Sequence, residues 1–138
     1  MTTIFEGGCA CGAIRYVAKG EPVAQSHCQC RHCQMRSGGG HGSYLVFAGD
    51  DAVTVTGKPK TWRIAGDSGN EKIHAFCPDC GAPVCLTFAA MPGVTAIHAG
   101  SLDEPARFRP TAVTYTASGP GWDTLDSSLA AFAGMPPG

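Results

Sequence analysis

Short runs of alternating apolar and polar residues recur along most of the chain, the two-residue period of strands with one buried face. They are AIRYVAK (13–19), SYLVFA (43–48), AVTVTG (52–57), KTWRIA (60–65), EKIHAF (71–76), PVCLTFA (83–89), VTAIHAG (94–100) and AVTYTA (112–117). Turn-forming sequences such as GDD, TGKP, GDSGN and MPG separate them. This rhythm predicts a mainly β, antiparallel architecture. Helical periodicity is rare. In WDTLDSSLAAFAGMPP, Leu125, Leu129 and Phe132 fall at i, i+4 and i+7. That spacing predicts a short C-terminal helix, capped by Asp123 or Asp126 and ended by Gly134 and the prolines. RHCQMR predicts a further helical turn after Cys30.

Composition sharpens the picture. With 19 glycines and 10 prolines in 138 residues, turns must be frequent and regular elements short. An apolar content of 43% excludes a disordered chain. The length suits one domain, 1–138. A net charge of -1 offers nothing to neutralise nucleic-acid phosphates, and no apolar run is long enough to span a bilayer. MTTIFEGG has the features of no secretory signal. The expected location is cytoplasmic.

Eight cysteines in such a chain point to metal ligation rather than a disulfide framework. GGCACG supplies Cys9 and Cys11; FCPDCG supplies Cys77 and Cys80. A C-x-x-C-G turn converges two sulfurs and aims backbone N–H groups at them, and a distant second pair, here the C-x-C of Cys9 and Cys11, completes the tetrahedron. The third constellation, Cys28, Cys30 and Cys33, offers three corners only. An odd triplet beside an even four predicts one closed structural site and one open site. An incoming thiol at the open corner would be presented as a thiolate nucleophile. The following SGGG (37–40) would let backbone N–H groups approach a carboxylate or oxyanion.

A fourth ligand from His27, His32, His41 or Cys85 would instead close the second site. His32 lies between two ligand candidates and is expected to face away. Cys85, in an apolar strand, reads as a small buried hydrophobe. His74 and His98 fall in strand patterns and read as ordinary core or surface residues.

GGCACGAIRY, HCQCRHCQMRSGG, FCPDCGAPV and IHAGSLDEP, in that order, resemble the glutathione-dependent formaldehyde-activating enzyme family, which also includes the centromere protein V type proteins. The resemblance runs from about Phe5 to Trp122. It implies small, coiled antiparallel sheets in a zinc-stapled, tent-like fold. It implies that Cys9, Cys11, Cys77 and Cys80 hold a structural zinc, and that Cys28, Cys30 and Cys33 hold a second zinc at the reactive site. The implied activity is that of a carbon–sulfur lyase joining glutathione to formaldehyde as S-hydroxymethylglutathione, or acting on a related small thiol adduct. The implied partner is a small thiol; charge and run length, as above, argue against nucleic acid or membrane. YTASGPGWD carries no charge between Arg109 and Asp123, so glutathione's carboxylates would be met elsewhere. Arg31, Arg36 and Arg63 are the candidates, each otherwise a solvated surface charge. No residue stands out as general acid or base. Two other readings stay open: a non-catalytic zinc-stabilised binding module, and a thiol redox or metal-buffering protein using the 28–33 loop.

Overall fold

The computed structural model describes residues 2–136. Strands β1 (Ile4–Gly8), β2 (Arg15–Lys19) and β5 (Val53–Thr56) form an antiparallel three-stranded sheet in the order β1-β2-β5. The larger sheet contains β3 (Ala24–Cys28), β4 (Gly42–Ala48), β6 (Lys60–Ala65), β7 (Glu71–Phe76), β8 (Pro83–Phe88), β9 (Val94–His98), β10 (Ala112–Thr114) and β11 (Ala130–Ala131). Its order is β11-β10-β3-β4-β9-β8-β7-β6. A single α-helix among the described residues, α1 (Arg31–Ser37), links β3 to β4.

The alternation in the sequence becomes burial. Tyr16 and Ala18 of β2, and Leu45 and Phe47 of β4, turn into a core between the sheets with Phe5, Val84 and Ile97. The Phe5 and Phe47 rings meet edge-on, with centroids 5.6 Å apart. The 100–105 segment joins the two sheets. Ser101 Oγ accepts from the Tyr16 hydroxyl at 2.7 Å and donates to the His98 carbonyl. Asp103 forms a two-pronged ion pair with Arg15, and Leu102 bridges to Gly7.

All eight expected strand regions contain strands. β1 and β3 were not anticipated: IFEGG and AQSHC lack a clean alternation. β3 is defined by its neighbours, antiparallel to β4 and parallel to β10. The architecture is therefore not wholly antiparallel, since β10 also pairs parallel with β11.

The expected C-terminal helix does not form, and the helix after Cys30 is the one that does. Both proposed caps are engaged elsewhere. Asp123 accepts from Gln29 Nε2 (3.0 Å) and pairs with His41 Nδ1 (2.8 Å); Asp126 accepts from the Ser128 N–H. The following residues add to the sheet edge, where the Phe132 N–H donates to the Val113 carbonyl and the Thr116 N–H to the Phe132 carbonyl. A sheet ladder outcompetes eight residues of weak helical period, 125–132. Among the described residues no helix is long and apolar enough to cross a membrane.

Candidate metal centres and the cavity between them

Cys9 and Cys11 occupy the β1–β2 turn, and Cys77 and Cys80 the β7–β8 turn. Each turn closes on itself. Cys9 N–H donates to the Ile14 carbonyl and Cys77 N–H to the Ala82 carbonyl, both at 3.0 Å. Gly12 (φ 83°) and Gly81 (φ 77°) take the left-handed conformation that each knuckle needs. All four sulfurs lie within 4.8 Å of one another. Backbone amides aim at them: the Ile14 N–H donates to Cys9 Sγ at 3.2 Å. The Ala82 N–H, then the Cys11 N–H, pull the Cys80 thiol down to about 6. Four thiolates with amide donors are the donor set of a closed zinc site.

Cys28 ends β3, Cys30 is the N-cap of α1 and Cys33 lies in the helix's first turn. Cys30 Sγ accepts from the Cys33 N–H at 3.4 Å. The three sulfurs also lie within 4.8 Å of one another. Among the described residues no His, Asp, Glu or other Cys joins this cluster. His27 pairs with Ser43 Oγ, His41 with Asp123, and His32 with Lys72 Nζ at 3.2 Å. Cys85 is buried in the core between the sheets, and burial pushes its thiol up to about 11. It is the small hydrophobe its strand context predicts.

The triplet concentrates negative charge. Hydrogen bonds from Cys28 and Cys33 and from the Cys33 N–H push the Cys30 thiol down, while sharing that charge pushes Cys33 up. Three thiolates around a divalent ion would sum to −1. The charge of Lys72 acts on Cys30 and that of Arg36 on Cys33, so nearby cations oppose it. Cys33 Sγ also contacts the Tyr44 hydroxyl at 3.0 Å. The donor chemistry fits zinc with one position left for a ligand.

The cluster lies on a cavity of about 420 Å³. All three sulfurs line it, and its inner wall is Val46, Leu86, Phe88 and Ala96. Arg31, Lys72, Asp67 and Glu71 add charge. Tyr115 lines it from a left-handed conformation (φ 55°), the sole positive-φ non-glycine residue among those described. Its N–H is held by the Gly134 carbonyl at 3.1 Å. A second cavity, of about 350 Å³ between Ile4, Glu6, Asp103 and Arg107, contains no cysteine.

His74 corrects the expectation of an ordinary residue. It is 2% exposed, lines the cavity, and neither ring nitrogen has a partner. Trp62 packs on the ring at 4.7 Å. Burial first, then the Arg36 and Lys72 cations, push its pKa down to about 3. It is neutral at neutral pH, and each unmet buried nitrogen costs about 1–3 kcal/mol. His74→Phe is therefore expected to stabilise the ligand-free protein, and more so in acid. The unfolded histidine takes up a proton near 6.5 and the folded one only near 3. The wild type thus loses up to about 1.4 kcal/mol per pH unit below 6.5, and the variant does not. Urea unfolding at pH 7.5 and pH 5.5 measures this; a gain equal at both would mean that the ring is solvated.

The candidate carboxylate partners divide. Arg63 is a surface charge paired with Glu71 at 2.6 Å. Arg36 is not solvated: it is half-buried, donates to His98 Nε2 at 3.0 Å and lies over Trp62. Arg31 is exposed at the cavity. The glycine run does not present its amides as expected. The Gly38 N–H closes α1 on Gln34, the Gly39 N–H meets Ser37 Oγ, and Gly40 packs against Asp123. Lys72, Tyr44 and Tyr115 escaped the sequence reading. Lys72 alone had a signal, as the one cation in EKIHAF.

The family described as glutathione-dependent formaldehyde-activating enzyme matches residues 4–118. A crystal structure of a Rhodobacter sphaeroides protein is similar at a TM-score of 0.56 and 16% identity, covering 92% of this chain and 98% of that one. That likeness bears on the fold alone. No curated protein matches the chain.

Proposed function

Because the chain belongs to the glutathione-dependent formaldehyde-activating enzyme family, we propose that it is a one-domain, zinc-dependent carbon–sulfur lyase acting on S-hydroxymethylglutathione or a related small thiol adduct. The observation that carries this reading is the three-sulfur cluster, without a fourth protein ligand among the described residues, opening on a 420 Å³ cavity. Cys9, Cys11, Cys77 and Cys80 hold the structural zinc; Cys28, Cys30 and Cys33 hold the reactive one. The setting is cytoplasmic, where seven metal-ligating cysteines stay reduced.

Zinc at the triplet supplies Lewis acidity, which favours thiolate over thiol at neutral pH. The chain does the rest by placement. Arg31 and Lys72 face the thiol's carboxylates, the cavity wall limits water, and the Tyr44 hydroxyl orients Cys33. In the lyase direction the carbon–sulfur bond breaks and its electron pair returns to sulfur. The hydroxyl oxygen becomes the carbonyl oxygen and its proton passes to water; the sulfur is left as a thiolate and takes a proton back as the thiol departs. Thiols add to formaldehyde unaided, so positioning is the main contribution asked of the protein.

The test is zinc stoichiometry with and without glutathione, coupled to the rate of hydroxymethyl-thiol breakdown. Two zinc ions per chain and a rate above background are expected. One tightly held zinc, with three reactive cysteines that bind no thiol, would sink the proposal. A disulfide within the 28–33 loop would favour the redox reading instead.

A further inference from the structure

Formaldehyde is little larger than water, whose share of liquid volume is about 30 Å³. The cavity beside the triplet is far larger, about 420 Å³. Glutathione's peptide does not suit its inner wall. That peptide carries two carboxylates and an ammonium, whereas Leu86 and Ala96 are buried and apolar, with Val46 and Phe88 packed against them. The cationic Arg31 and anionic Asp67 are exposed, on the outer side. Within the inner wall one ring, His74, holds two buried nitrogens that no protein atom meets.

We propose that the inner cavity takes an apolar chain of several carbons borne by the carbonyl-derived carbon of the adduct, whose hydroxyl meets His74. This rests on the thiol-adduct reading of the triplet. The substrate class is then a hemithioacetal of a longer apolar aldehyde, with the charged thiol carrier outside and the chain on Leu86, Phe88, Val46 and Ala96. A neutral imidazole provides one N–H donor and one acceptor on opposite sides of the ring; a hydroxyl pairs with one of them, and no fixed charge is left on the apolar wall. Tyr115, held in a strained conformation at the same cavity, adds a further aromatic surface.

The experiment is calorimetric titration of the zinc-loaded protein with glutathione and with S-methyl-, S-butyl- and S-hexylglutathione. Affinity is expected to rise about four-fold per methylene, the value for burying one CH₂ group, until the cavity is filled. Ala96→Leu, which fills the wall, should flatten the series. Phe88→Ala, which removes part of the wall without overpacking it, should weaken the hexyl ligand more than the methyl one. The adduct of glutathione with hexanal tests the histidine: His74→Phe should weaken it about ten-fold and leave S-hexylglutathione unchanged. Equal binding of the methyl and hexyl ligands overturns the chain subsite while the thiol site stands. A His74→Phe variant that binds both hexyl ligands as the wild type does overturns the histidine's part. If no ligand binds, glutathione included, the thiol-adduct reading fails and this inference with it.

Discussion

Cys77→Ser is expected to yield no folded protein, whereas Cys30→Ser yields a folded chain that has lost one metal and its catalysis. The four-sulfur cluster ties the β1–β2 turn to the β7–β8 turn across 66 residues of sequence, from Cys11 to Cys77. Closing a loop of that size removes about 4 kcal/mol of unfolded-state entropy on the cross-link scale. Structural zinc in small peptides contributes about 10–16 kcal/mol. The whole net stability of a domain is only about 5–15 kcal/mol, so the metal term decides. Cys77 is also fully buried, and a serine hydroxyl there would be polar, poorly ligating and unsatisfied. Cys30 differs. Its sulfur is the N-cap acceptor of α1, and serine is among the best N-cap residues. The helix therefore survives the change that empties the second site. Soluble yield, thermal unfolding and zinc per chain measure both variants. Equal damage would mean that the two clusters do not divide the labour in this way.

Gly7→Ala is expected to cost about 1–3 kcal/mol or more, the usual range for overpacking. A Cβ at Gly7 would overlap the Ser101 carbonyl oxygen and the Tyr16 hydroxyl. Neither can move cheaply. Ser101 is locked by its bond to the His98 carbonyl, and Tyr16 is 2% exposed with its hydroxyl on Ser101. The clash falls where the small sheet meets the large one. Gly100→Ala in the same joint is the control: nothing lies within 4 Å of its Cβ position, so it should be near neutral. Urea unfolding of the two variants compares them directly. Similar values would remove the close approach at Gly7 as a feature of the joint.

Residues differ in how much of their role is local. The C-x-C and C-x-x-C-G knuckles were legible because neighbouring backbone groups shape them: Cys77 N–H reaches Ala82, and Gly81 supplies the one unusual φ. The strands from 43 to 89 were legible because alternation over five or six residues is also local. The tail was not. Leu125, Leu129 and Phe132 keep a helical period, but Asp123 is claimed by His41 and Gln29, 82 and 94 residues away in sequence. His74 sits in a strand as expected, yet its orphaned ring depends on what the flanking strands β6 and β8 leave around it. Arg36 looks like a helix-surface charge until Trp62 and His98 enclose it.

By itself the sequence determined which sulfurs belong together, four and three, and where most strands run. Both follow from contacts a few residues long, together with the chemistry of thiolates. Only the tertiary structure decided that the triplet faces a largely apolar cavity, that His74 has no partner there, and that the tail becomes an edge strand. Those outcomes depend on packing and hydrogen bonds between residues far apart in the chain, and no local pattern encodes which distant group will arrive first.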